Sequence, residues 1–233
     1  MAVTFVGDIH GWSDRLERVL AQVAGELVFL GDLIDRGPDA PGVVRRVRGL
    51  CESGRAQCVI GNHEYAMVRA LGCAALGIAA DPRMFTAWRD RFGGDAVLTA
   101  YGAAQDSPDD LRAALGDDLR WLAELPWVLE GDSEGRHWLA VHAGFAEAPL
   151  APQLAALRRG WAEDDGAPAA LFHKPRAHQN PSDLPAGWCT VSGHTPMPRA
   201  VVQYQRILCD TSGGLPRRLL SAVTFPSGKV VTG

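Results

Sequence analysis

The sequence predicts a layered α/β domain, and three observations carry that prediction. Short apolar runs end in Gly-Asp or Gly-Asn, a stretch of helical period follows each run, and the alternation repeats three times before the composition changes. Val3 to Val6 runs into Gly7-Asp8, and Leu16, Val19, Leu20 and Val23 then fall on one helical face that starts at Ser13 and that Gly25 closes. Leu27 to Leu30 runs into Gly31-Asp32, and a second helix is expected over Pro38 to Cys51. Gln57 to Ile60 supplies a third strand ending in Gly61-Asn62, with a third helix from His63 onward.

Tyr65 to Leu125 is Ala-rich with a break at Gly93-Gly94, and about 65–125 reads as a mainly helical insertion. The period changes at Trp127. Strands are expected at Trp127 to Glu130, His137 to Val141, Cys189 to Ser192, Ala200 to Tyr204, Ile207 to Cys209, Leu219 to Phe225 and Lys229 to Val231. Residues 160–187 carry Pro168, Pro175, Pro181 and Pro185 among polar residues and read as a long loop rather than a linker, so 1–233 is expected to be a single domain.

Composition narrows the function classes. With 23 Lys plus Arg against 27 Asp plus Glu, the net charge is −4, and the chain lacks the electrostatic footprint of a nucleic-acid-binding module. At 47% hydrophobic and 21% charged it is an ordinary globular protein, with 26 Gly and 15 Pro to build turns. The five cysteines, Cys51, Cys58, Cys73, Cys189 and Cys209, are odd in number and form no C-x-x-C pair, which points to reduced thiols and a cytoplasmic protein. The N-terminus lacks a basic segment and reaches Asp8 too soon for a signal peptide, and no run approaches the roughly 18 apolar residues that span a bilayer. Neither nucleic acid nor membrane is expected as a partner, and the sequence leaves oligomeric state open.

In an open α/β sheet, ligands bind outside the carboxyl ends of the strands. Those ends carry Asp8 and His10, Asp32 and Asp35, Asn62 and His63, His142, and His194. Carboxylate, amide and imidazole donors without thiolate suit Mn, Fe or Zn. They are too many for one tetrahedral ion and fit two metals sharing a carboxylate, an arrangement that holds both the attacking and leaving oxygens of a phosphoryl displacement. A single Gly-Asp or strand-end histidine is usually only a turn or a solvated side chain; five such motifs in order are not.

Gly7-Asp8-Ile9-His10-Gly11, Gly31-Asp32-Leu33-Ile34-Asp35-Arg36-Gly37, Gly61-Asn62-His63-Glu64, His142-Ala143-Gly144 and Gly193-His194-Thr195-Pro196 together resemble the phosphoprotein phosphatase branch of the binuclear metallophosphoesterases, and the likeness continues to Asp210-Thr211. The resemblance implies a calcineurin-like four-layer αββα sandwich with two divalent metal ions, manganese first and iron or zinc as alternatives. By the same resemblance Asp8 and His10 would hold one metal, Asn62, His142 and His194 the other, and Asp32 would bridge them. A water activated by both ions would be the nucleophile, His63 the general acid, Asp35 its orienting carboxylate, and Arg36 a clamp on the phosphate oxygens. Asn62 would also touch the phosphate. Glu64 reads more simply as a carboxylate favoured in the first turn of a helix.

One stretch departs from the family. A second phosphate-binding arginine is replaced in Leu171-Phe172-His173-Lys174 by Lys174, which keeps charge but cannot form a bidentate contact, and Arg176 is an equal candidate. His173 and His178 read as solvated loop histidines, and Glu163-Asp164-Asp165 as a solvated acidic loop.

The resemblance implies a metal-dependent phosphoester hydrolase, first a serine/threonine protein phosphatase similar to compact bacterial and phage enzymes. The alternative is a diadenosine tetraphosphate hydrolase. The symmetrical enzymes of that activity tend to carry Gly-His-Trp where this chain has Gly193-His194-Thr195-Pro196, which disfavours the symmetrical type and leaves the asymmetrical type open. The substrate is accordingly expected to be a phosphoprotein or a small phosphorylated or nucleotide compound. A non-catalytic module of the same fold would show an eroded ligand set, and none is eroded. Phe85, Trp88, Phe92 and Tyr101 read as core of a helical subdomain, with stacking on a nucleobase as the second possibility. The Gly93-Gly94 and Thr99-Ala100-Tyr101 stretch also resembles bacterial members, without an assigned role.

Overall fold

A computed structural model describes residues 2–163, 169–172 and 179–233. Two five-stranded mixed sheets form the centre. The first comprises β1 (Val3–Val6), β2 (Glu26–Phe29), β3 (Ala56–Cys58), β9 (Ser221–Phe225) and β10 (Lys229–Thr232) in the order β10-β9-β1-β2-β3, and the second comprises β4 (Leu129–Ser133), β5 (Arg136–Ala140), β6 (Cys189–Ser192), β7 (Val201–Val202) and β8 (Arg206–Leu208) in the order β4-β5-β6-β8-β7. β1, β2 and β3 run parallel, as do β5, β6 and β8; the outer pairings are antiparallel.

The sheets pack face to face, which explains the continuous apolar runs in the sequence. Along β2 and just beyond it, Val28 and Leu30 point to the core between the sheets while Leu27 and Phe29 point to the helices. Phe5 is fully buried between the sheets and meets Trp138 edge-on at a centroid distance of 5.3 Å. Helices α1 (Ser13–Leu20) and α2 (Ala40–Glu52) contribute Leu16, Val19, Val43, Val44 and Val47 to the outer core of the first sheet. α8 (Leu150–Arg159) adds Leu150, Leu154 and Leu157 to that same continuous cluster, which also holds Leu139 and Val141 beside the second sheet. The layers are therefore αββα, a packing that periodicity alone cannot show.

The predicted insertion is helical. α3 (Asn62–Leu71), α4 (Pro82–Ala87), a π-helical turn at Trp88–Phe92, α5 (Asp95–Tyr101), α6 (Pro108–Leu115) and α7 (Asp117–Ala123) lie between β3 and β4. The segment expected as one long loop differs. It opens with a 3-10 turn at Gly160–Glu163, where Trp161 stacks on Tyr65 at 5.1 Å and donates from Nε1 to Ala123 O, and it holds a short α9 (Ala169–Phe172). Residues 179–188, which include Pro181 and Pro185, carry no helix or strand, as the loop reading expected. Lys174, Arg176, His173, His178 and the Asp164-Asp165 pair lie outside the described residues.

The strand ends converge on one rim because two loops touch backbone to backbone. Gly31 has φ +84°, and a Cβ there would sit 2.5 Å from Gly61 N, so only glycine lets the Asp32 and Asn62 loops meet. Replacing Phe5 by alanine at the sheet interface is expected to cost about 3–5 kcal/mol of stability. Urea unfolding of the variant measures this, and a loss below 1 kcal/mol, within the usual range for surface substitutions or little above it, would contradict the packing.

Candidate active site

The rim is built on a strained backbone. Six described non-glycine residues have positive φ, and five of them are His10 (51°), Asp32 (52°), Asp35 (70°), Arg36 (67°) and His194 (63°), all candidate site residues. Such conformations cost of order 1–3 kcal/mol each and persist only where the surroundings over-determine them.

Glu64 is the surrounding group that sequence reasoning missed. Its fully buried carboxylate accepts N–H bonds from Gly61 (2.9 Å), Asp32 (2.8 Å), Leu33 (2.8 Å) and Ile34 (3.2 Å). The bond to Gly61, three residues back, is half of a capping box, and that spacing was the available signal. Burial and the nearby charge of Asp32 push its pKa up to about 7.

Asp32 sits at the centre. Oδ1 accepts from the His63 backbone N–H at 3.1 Å and lies 3.3 Å from His142 Nε2, while Oδ2 lies 3.5 Å from His10 Nε2 and 3.7 Å from His63 Nε2. Its two oxygens therefore face two clusters, His10–Asp32–His63 and Asp32–His142–His194, whose donor atoms lie within 4.8 Å of one another in each. Burial opposes ionisation of Asp32, but the His142 and His63 imidazoles outweigh it and hold the carboxyl well below its usual range.

The donor set fits divalent cations. His10 Nδ1 lies 3.0 Å from Ile34 O and His142 Nδ1 lies 2.6 Å from Leu30 O. Carbonyls only accept, so both Nδ1 atoms carry protons and both Nε2 atoms turn inward. His142 Nε2 then faces Asn62 Oδ1 at 2.8 Å, and His194 Nδ1 approaches the same oxygen at 2.7 Å and His142 Nε2 at 3.2 Å. Acceptors this close need a proton or a cation between them. Burial works against charge on His142, yet Asp32 outweighs it and raises its pKa. Asp8 is placed differently from His10: its carboxylate accepts the His194 N–H at 3.0 Å, and burial together with Asp210 and Asp32 raises its pKa well above the usual value.

The helical insertion reaches into the site. His63 Nδ1 donates to Asp35 Oδ2 at 2.6 Å, and Trp88 Nε1 donates to both Asp35 oxygens at 3.0 and 3.1 Å. Trp88 is fully buried in the core, as read from the sequence, and is also a donor that fixes Asp35. A Cβ at Gly94 would lie 2.5 Å from the Trp88 ring, and Gly93 O accepts the Arg36 N–H at 3.0 Å, which gives the Gly93-Gly94 pair a physical role. Burial pushes Asp35 up and His63 down. Phe92 packs edge-on against His63 at 5.1 Å, whereas Phe85 is core and the Tyr101 hydroxyl donates to Asp118 at 3.2 Å. Arg36 lies across the cluster, donating to His10 Nε2 (3.1 Å), His63 Nε2 (2.9 Å) and Gly213 O (2.7 Å).

A sandwich with this rim defines the class. The family model for calcineurin-like phosphoesterases matches residues 1–214, and the chain belongs to that family. Among its relatives, the symmetrical bis(5'-nucleosyl)-tetraphosphatase of Ralstonia nicotianae is 43% identical over 75 residues, 31% of this chain and 26% of that protein. The enzyme of the same name from Janthinobacterium sp. is 30% identical over 166 residues, 68% of this chain and 49% of that protein. The chain spans about half the length, or less, of these curated relatives. In structure it is similar to a candidate diadenosine tetraphosphatase (23% identity, TM-score 0.56, 100% of this chain and 92% of the other). It is also similar to a serine/threonine phosphatase of Saccharomyces cerevisiae (13% identity, TM-score 0.60, 100% and 79%). At these identities both structures show the fold alone.

Two outcomes test the site. Glu64→Gln replaces an acceptor by a side chain that also carries N–H donors facing backbone N–H groups, and is expected to destabilise by about 1–3 kcal/mol; full stability in denaturant unfolding would remove Glu64 from its organising position. Added Mn²⁺ is expected to raise the melting temperature of stripped protein at neutral pH, less so toward pH 5.5 as protons compete for the imidazoles, and Asp32→Asn is expected to abolish most of the shift. Differential scanning calorimetry reads this directly, and an equal shift in the variant would contradict a bridging Asp32.

Proposed function

We propose that the protein is a two-metal phosphohydrolase acting on dinucleoside polyphosphates, with Asp8, His10, Asp32, Asn62, His142 and His194 as the metal ligands. The observation that carries the substrate is the match to relatives named symmetrical bis(5'-nucleosyl)-tetraphosphatase over as much as 68% of this chain. The order of preference drawn from the motifs is thereby reversed: the dinucleotide reading stands ahead of the serine/threonine phosphatase reading. The Gly193-His194-Thr195-Pro196 motif, which disfavoured a symmetrical enzyme, is outweighed by similarity to symmetrical enzymes spread over a much longer stretch.

Asp8, His10, Asp32, Asn62, His142 and His194 would hold two divalent ions, Mn first, which would supply Lewis-acid charge and lower the pKa of water at the site. The chain does the rest. Arg36 presents a planar fork to the phosphate oxygens, and in binding them it would release His63 Nε2, which now accepts from Arg36 NH2 at 2.9 Å. Once freed, Nε2 can take up a proton from water and pass it to the leaving oxygen, with Nδ1 held by Asp35 at 2.6 Å. The two Trp88 bonds favour the Asp35 carboxylate and so oppose, without cancelling, the rise in its pKa that burial and the Glu64 and Asp32 charges impose. Asn62 contributes its amide oxygen to the second cluster, which leaves its NH₂ for a phosphate oxygen. Lys174 and Arg176 are carried forward as candidates for a second phosphate contact.

The deciding experiment compares kcat/KM of the Mn²⁺-loaded protein for diadenosine tetraphosphate and for a phosphothreonine peptide. A preference of 100-fold or more for the dinucleotide, about 2.7 kcal/mol of transition-state discrimination, is expected. The reverse preference makes the protein a phosphoprotein phosphatase.

A further inference from the structure

The loop at residues 212–219 meets the catalytic cluster at one end and a groove at the other. At the catalytic end, Gly213 O accepts from Arg36, and a Cβ at Gly214 would lie 2.8 Å from the His10 ring. The loop is held down along its length: Trp12 Nε1 donates to Gly214 O (3.0 Å), and Arg15 donates to Leu215 O (3.0 Å) and Pro216 O (2.7 Å). Immediately after these anchors come Arg217 and Arg218, both exposed and both lining a groove of about 370 Å³. Arg199 reaches the same groove from the segment that follows His194, a segment tied back to the site by the Met197 N–H to Asp210 O bond of 2.9 Å.

Charge sets this groove apart. Arg18, Arg46, Arg48, Arg89, Arg112, Arg120 and Arg158 each pair with a carboxylate. Among the described residues Arg199, Arg217 and Arg218 pair with none, and no acidic residue lines the groove. Three uncompensated guanidinium groups converge there in a chain of net charge −4. Such a concentration of one sign in a concavity raises the local population of anions, and the guanidinium fork matches phosphate oxygens.

We propose that this groove binds the part of a polyphosphate chain that lies beyond the scissile phosphorus. The inference rests on the dinucleoside polyphosphate reading for its substrate, because only one phosphorus of such a chain can occupy the cluster under Arg36. The remaining phosphates need a cationic track, and the anchored loop leads from Arg36 to the groove. A phosphate monoester or orthophosphate ends at the cluster and does not reach Arg217.

The test is the triple variant Arg199→Ala, Arg217→Ala, Arg218→Ala. Its KM for diadenosine tetraphosphate is expected to rise about tenfold or more, equivalent to about 1.4 kcal/mol, with kcat held within twofold. Calorimetric binding is measured in parallel with tripolyphosphate and orthophosphate as probes. The variant is expected to lose about tenfold in tripolyphosphate affinity and nothing in orthophosphate affinity. Unchanged tripolyphosphate binding, or equal losses for both anions, overturns the groove. If the parent protein fails to cleave the dinucleotide, the proposed function falls, and the two-probe comparison still decides the groove.

Discussion

The four hydrogen bonds to the Glu64 carboxylate are the constraint on which the rest of the site depends. One buried side chain joins the first turn of α3 to the loop after β2, so that Asn62, His63, Asp32 and Asp35 are placed relative to one another by a single group. Its oxygens satisfy N–H groups that would otherwise be buried and unpaired, each at a cost of order 1–3 kcal/mol. The same bonds hold Asp32 at a φ of 52°, which a local preference would not choose.

Strain is concentrated where the donors are. His10, Asp32, Asp35, Arg36 and His194 all adopt left-handed backbone, and the two packed sheets supply the stability that offsets it. Behind His142 and His194, the buried Arg206 guanidinium donates to Thr190 Oγ1 (2.9 Å), Ser192 Oγ (2.8 Å) and Ala143 O (3.4 Å), tying together the ends of β5 and β6 that carry those histidines. Burial lowers its pKa to about 10. A buried cation beneath a cluster of acceptors is a costly device, and it is consistent with a rim whose geometry must not drift.

The insertion and the 212–219 loop divide the approach to the cluster between them. Trp88 and Gly93 fix Asp35 and Arg36 from one side, while Gly213 and Gly214 close on Arg36 and His10 from the other. Arg36 is therefore the point where both substrate-side elements meet the metal-side loops. Its three present acceptors are His10, His63 and Gly213, so one guanidinium ties the proposed general acid to both neighbouring loops.

The strand-end candidates were legible as a group because chemistry and turn geometry are both local: a Gly-Asp or Gly-Asn after an apolar run marks its own loop, and five such loops pointed to Asp8, His10, Asp32, Asp35, Asn62, His63, His142 and His194, of which His10, Asp32, His63, His142 and His194 gather in two clusters that share Asp32. Strand positions followed for the same reason, with β1 and β6 found at their observed limits and most others within two residues. The opposition of the two sheets came from the family resemblance and not from periodicity, since a run buried on both faces has no period to reveal its neighbour. Glu64 and Trp88 were read as a helix-dipole carboxylate and as core, because their partners, at Asp32 to Ile34 and at Asp35, are distant in sequence and only packing brings them together. The convergence of Arg199 with Arg217 and Arg218 is of the same kind. Residue type and local spacing determined what chemistry this protein carries; the tertiary structure alone decided which distant groups hold it in place, because those contacts depend on separations in space that the order of residues does not encode.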